Sequence, residues 1–104
     1  MRLLGQKFRK LRESKNLPLR KVAAFLDIDP SILSKIERSE RTISIELLSK
    51  LSQYYDQNYD LLRTEFHAEQ IAQVIYDESE VKKIFAVAEE KIEYLKSVRN
   101  GKNG

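Results

Sequence analysis

The chain contains no cysteine, which excludes disulfides and any thiolate zinc site. Its one histidine, His67, cannot build a histidine metal site, and no glycine-rich phosphate loop is present. No apolar run approaches the length of a membrane span. The opening MRLLGQKFRKLRES is charged, with neither a long apolar region nor a small-residue cleavage site. It therefore does not read as a signal peptide, and the cytoplasm is the expected compartment. Acidic pairs such as Glu89-Glu90 sit side by side on an amphipathic stretch, as a solvated face rather than an acid and a base. Without a paired nucleophile and base, an enzyme is disfavoured, and no metal or cofactor is expected.

What remains is charge and helical periodicity. The 104 residues suit one domain, or one small domain plus an appendage, and 41% apolar residues permit a real core. The net charge of +3 is unevenly spread. Residues 1–52 carry twelve Lys/Arg against six Asp/Glu, whereas residues 53–104 carry seven against ten. A basic first half suits a polyanion, and the acidic second half is not expected to face one.

The apolar spacing predicts an all-α chain. Leu4, Phe8 and Leu11 form one stripe on a first helix over about 3–14. Lys15 to Pro18 is a turn, and Val22, Ala23 and Leu26 line a second helix ending at Leu26. Asp27, as the residue after that helix, must tolerate a left-handed backbone, and Ile28 is expected to bury in the corner. Asp29-Pro30 is a stop-start signal: an N-cap followed by a proline at the first helical position. The third helix then turns Leu33 and Ile36 inward. A loop over 38–43 leads to a fourth helix from Ser44, with Leu47, Leu48 and Leu51 as its core residues. Two longer helices follow, over about 59–76 and 80–98. The last has a seam of Val81, Phe85, Ala88, Ile92 and Leu95 at spacings of four, three, four and three. Tyr54, Tyr55, Tyr59, Tyr76 and Tyr94 are expected at interfaces or half-buried. His67 is expected at the surface or in an interface.

Two short helices joined by a tight turn over 20–37 are the build of a helix-turn-helix. Residues 3–55 resemble the lambda-repressor-like, or Xre-type, helix-turn-helix domain. The resemblance is carried by LLGQKFRKLRES, KVAAFLDID and ILSKIERSER: the small Ala23 in helix 2, Ile28 closing the turn, and Ser34-Lys35-Ile36-Glu37 closing helix 3. It implies a five-helix domain whose second and third helices read DNA, usually as a dimer on a palindromic site. The remainder would be a C-terminal helical extension. The wording LPLRKVA and IDPSILSKIERSER is similar to regulators that accompany restriction-modification genes. Two features depart from the family pattern: Leu19 stands where a phosphate-touching Gln is common, and Asp27 and Ser39 stand where Gly is common.

The domain organisation expected on this basis is a helix-turn-helix domain over 1–57, a C-terminal hairpin for dimerisation over 58–99, and a flexible tail over 100–104. The resemblance places Pro30, Ser31, Ser34 and Lys35 at the bases. Pro30 offers apolar contact, Ser31 and Ser34 donate or accept with weak discrimination, and Lys35 reaches guanine. Arg20, Lys21, Arg38, Arg41 and Ser44 are the expected phosphate contacts, with the amino ends of helices 2, 3 and 4 beside them. Arg38 and Arg41 are alternatively partners for Glu37 and Glu40. Glu37 itself is expected to pair with a basic residue of helix 1 or 2. Phe66, Val74, Val81, Phe85, Ala88, Ile92 and Leu95 are the expected dimerisation residues. The expected partners are double-stranded DNA and a second copy of the chain. The alternative is an antitoxin or other interaction module that binds a toxin or another protein and binds DNA secondarily.

Overall fold

The computed structural model describes residues 1–101. Among these residues the chain is helical throughout: α1 Leu4–Ser14, α2 Leu19–Leu26, α3 Pro30–Glu37, α4 Ile45–Tyr54, α5 Tyr59–Ile75 and α6 Val81–Gly101. It divides into two compact units, Met1–Ile71 and a second beginning at Ala72.

In the first unit five helices enclose one core. α1 contributes Leu4 and Phe8, α2 contributes Val22, Ala23 and Leu26, and α3 contributes Leu33 and Ile36. α4 adds Leu48 and Leu51, and α5 adds Leu62 and Phe66. Ala23 is fully buried; a larger side chain there would hold α2 and α3 apart. Ile43, from the loop before α4, is also buried. Ile28, Leu11 and Leu47 are only partly buried, packed against the margin of this core.

The helix boundaries follow from local chemistry. The Asp29 carboxylate accepts from the Ser31 N–H at 2.8 Å, and Pro30 opens α3. Ser44 caps α4 by accepting from the Leu47 N–H at 3.2 Å, and Asn58 caps α5 by accepting from the Leu61 N–H at 3.0 Å. Leu3 precedes α1 and has no polar side chain to cap it. Its N–H donates instead to Gln6 at 2.9 Å, while the Leu4 N–H donates to the Glu69 carboxylate of α5 at 3.2 Å. Asn16, Asp27, Ser39 and Asp56, each just beyond one of the first four helices, have positive φ.

Gly5 sets the crossing of α1 and α3. A Cβ at Gly5 would overlap the Ile36 carbonyl oxygen and press on Ser39 Oγ. Only a glycine lets the two backbones meet this closely.

Two expectations are corrected. Tyr55 is a core residue, 2% exposed and stacked on Phe8, rather than part of a half-buried connection. Phe66 belongs to the core of the first unit, 9% exposed, and so is not on a free dimer face. Asn100 and Gly101, the start of the expected tail, continue α6, and its remaining residues, 102–104, lie outside the described residues.

In the second unit α6 has no buried residue among those described. Phe85 and Ile92 are each 49% exposed and Leu95 65%. Val81 and Ala88 are intermediate. Val74, near the end of α5, is 75% exposed. No helix among the described residues is long and apolar enough to cross a membrane.

Candidate nucleic-acid interface

The outward residues of α3 follow from its inner face. Leu33, Ile36 and Glu37 are buried, so Pro30, Ser31 and Lys35 are left exposed and Ser34 half-buried. All four expected base-reading residues thus share the helix side away from the core, with Ser31 and Lys35 one turn apart. Lys35 makes no ion pair among the described residues, so its ammonium is available.

A buried ion pair sets the angle of this helix. Arg12 of α1 donates from Nε and one terminal nitrogen to the two Glu37 oxygens, at 2.9 and 3.0 Å. Its other terminal nitrogen donates to the Leu17 carbonyl at 2.9 Å. The bidentate geometry has two well-aligned, charge-assisted hydrogen bonds. The Glu37 hydrogen bonds raise the Arg12 pKa further above its already high value. Glu37 is buried whereas Arg12 reaches partly to solvent, so loss of Arg12, which leaves the carboxylate buried and unpaired, is the costlier change. The last turn of α3 is therefore held to α1 and to the turn before α2. Glu37 is the intradomain partner anticipated from its position, and it is not a DNA group.

The phosphate candidates flank α3. Arg20 and Lys21 are exposed in the first turn of α2, and Arg41 is exposed in the loop before α4. α2 has no side-chain cap, since Pro18 precedes it, so its first amides remain available to an anion. The α3 and α4 ends differ, because Asp29 already accepts from Ser31 N–H and Ser44 from Leu47 N–H. Arg38 pairs with Glu40 at 2.9 Å, both half-exposed. Such a pair is worth little and is readily exchanged for a phosphate. Leu19, the residue that replaces the common Gln, packs against the core. It packs at the corner, while Arg20 and Lys21 beside it are exposed.

Two serines in this region have opposite hydrogen-bonding polarity, which their identity alone does not reveal. Ser44 Oγ accepts from an amide, so its hydroxyl hydrogen is free to donate to a phosphate. Ser31 Oγ donates to Asp29 Oδ1 at 2.8 Å, so only its lone pairs remain for a ligand. The two hydrogen bonds from Ser31, backbone first and hydroxyl second, hold the exposed Asp29 carboxyl below its ordinary pKa. It is therefore ionised at neutral pH.

The helix-turn-helix family model matches residues 8–62. Among solved structures the chain is similar to the clp gene regulator ClgR from Corynebacterium glutamicum, with 22% identity and a TM-score of 0.53. That likeness spans 82% of this chain and 88% of the other. The chain is also similar to a chain of the SinR protein/SinI protein complex, with 26% identity and a TM-score of 0.52, over 91% of this chain and 99% of that one. Comparison with curated proteins finds no match.

Proposed function

The chain belongs to the helix-turn-helix family, and on that premise we propose that it is a cytoplasmic, sequence-specific transcriptional regulator binding a two-fold operator as a homodimer. That it is a DNA-binding regulator and not an enzyme comes with the family. Specific operator recognition rests on one observation above all. The outward row of exposed Pro30, Ser31 and Lys35 and half-buried Ser34 stands on a helix whose far end is held by the Arg12–Glu37 pair. A reading helix must hold its side chains in register with base edges, and a fixed helix axis does this. Arg20, Lys21, Arg41 and Ser44 then position the domain on the phosphates. Occupancy of a promoter is sufficient for regulation, by blocking polymerase or by touching it.

In this reading the first unit supplies the DNA contacts, and the residues beyond it, to 99, the dimer. Val81, Phe85, Ala88, Ile92 and Leu95 line the seam, with Val74 beside it. The similarity to a chain taken from a two-protein complex supports a second reading, in which another protein, such as a toxin, occupies the same exposed residues. Gene context separates the two: an adjacent toxin gene favours the second, an adjacent methyltransferase gene a restriction-modification regulator.

The test is fluorescence anisotropy on DNA from upstream of the chain's own gene, beside a scrambled duplex, at several salt concentrations. The expected result is a preference of about tenfold or more, lost on Lys35→Ala together with Ser31→Ala. A steep fall of affinity with salt should accompany it, reporting the neutralised phosphates. Equal, weak binding to both duplexes would sink specific autoregulation.

A further inference from the structure

The polarity of Ser31 narrows which base it can meet. An isolated serine hydroxyl donates or accepts and so discriminates weakly. Here the hydroxyl hydrogen is committed to Asp29 Oδ1, as is the Ser31 amide, both at 2.8 Å. What faces outward at the start of α3 is acceptor-only: the Ser31 lone pairs and Asp29 Oδ2, which has no hydrogen-bond partner among the described residues. A phosphate is excluded from this position, because it would meet an ionised carboxylate where other helix ends offer amides. In the major groove the complementary groups are the exocyclic amines of cytosine and adenine. Adenine places its N7 acceptor beside the amine, against the same carboxylate, and cytosine does not.

We propose that Asp29 and Ser31 together read the N4 amine of a cytosine in each operator half-site. The inference rests on the sequence-specific DNA reading proposed above and assigns it a base and a residue pair. Asp29 is thus both cap and reader: Oδ1 fixes Ser31, and Oδ2 accepts from the amine. The other amine hydrogen is paired with guanine O6, so Ser31 Oγ shares the one free hydrogen with Oδ2 or accepts from a neighbouring amine. Lys35 lies four residues further along, about 6 Å up the helix. Its guanine is then about two base pairs from the cytosine, at 3.4 Å per step. Thymine O4 and guanine O6 or N7 at the cytosine position would face the carboxylate with a lone pair and are rejected.

The experiment is selection from randomised duplexes with the full chain, followed by anisotropy on the selected sites. Wild type, Asp29→Asn, Ser31→Ala and Lys35→Ala are compared. Asn caps a helix about as well as Asp, and unchanged thermal melting of Asp29→Asn verifies that the fold is kept. Asn adds an amide donor, the partner set for adenine N6 and N7. The expected result is a fixed cytosine in the wild-type consensus. Its preference falls about tenfold in Asp29→Asn, where adenine replaces it, and weakens in Ser31→Ala. Lys35→Ala relaxes the nearby guanine instead. A two-fold consensus without that cytosine, or a cytosine preference unchanged in Asp29→Asn, overturns the assignment while leaving operator recognition intact. If wild type enriches no consensus at all, operator recognition and the assignment fall together.

Discussion

Tyr55 carries the main titration consequence of the core. Its ring stacks on Phe8 and meets Tyr54 edge-on, while its hydroxyl is buried without a protein hydrogen-bond partner among the described residues. Burial, then the nearby Glu37 charge, pushes its pKa up to about 12. The unfolded chain ionises near 10. A raised native pKa means that the folded state holds the proton more tightly. The contribution is therefore complete below pH 10 and is lost as pH rises from 10 through about 12. Urea midpoints measured from about pH 9 to 11 should fall steeply in wild type and more gently in Tyr55→Phe, which has no proton to lose. Parallel curves for the two proteins would place the alkaline loss elsewhere. Nothing in the sequence marks Tyr55 for this role, because Tyr54-Tyr55 reads equally well as an amphipathic turn.

Between elements, two glycine substitutions should act in opposite directions. α1 and α3 touch through Gly5, where a Cβ would overlap a backbone carbonyl rather than a side chain that could swing away. Gly5→Ala should destabilise by about 1–3 kcal/mol, as overpacking does, and should weaken DNA binding by tilting α3. Ser39, at the exit of α3, has φ 61° and a buried hydroxyl with no hydrogen-bond partner among the described residues. Ser39→Gly removes both costs and should stabilise by about 1 kcal/mol, less the entropy a glycine loses on folding. Thermal melting of the two variants checks both signs; a rise for Gly5→Ala would mean that α1 can shift freely. The contrast also marks the limit of what the sequence reveals. Asp29-Pro30, Ser44 and the left-handed Asp27 were legible because a cap or a turn is decided by residues next to one another. Glu37 was legible as a buried partner because a carboxylate beside Leu33 and Ile36 requires a cation. Gly5 against Ile36 and Glu69 against the Leu4 amide, 65 residues apart, were not legible, because they exist only once helices pack. The Ser31 hydroxyl lies between these cases: its partner is two residues away, but its direction depends on the rotamer that the cap selects.

For the whole molecule, dimerisation and DNA affinity should be linked through α6. Its seam leaves Phe85, Ile92 and Leu95 about half or more exposed, a row that a lone chain keeps in contact with water. One half-site contact through so few base-reading side chains gives modest affinity, and joining two through a dimer raises avidity by about a hundredfold or more. Phe85→Glu with Leu95→Glu places carboxylates on the seam, far in sequence from α3 and with no buried neighbour in α6 to disturb. On the proposed reading, light scattering should show wild type as a dimer and the variant as a monomer. Its affinity for a two-fold operator should fall by about a hundredfold, while its affinity for an isolated half-site stays the same. If the variant remains dimeric and binds as wild type does, the seam is not the homodimer contact. The exposed apolar row of α6 would then be the surface on which to seek another protein partner.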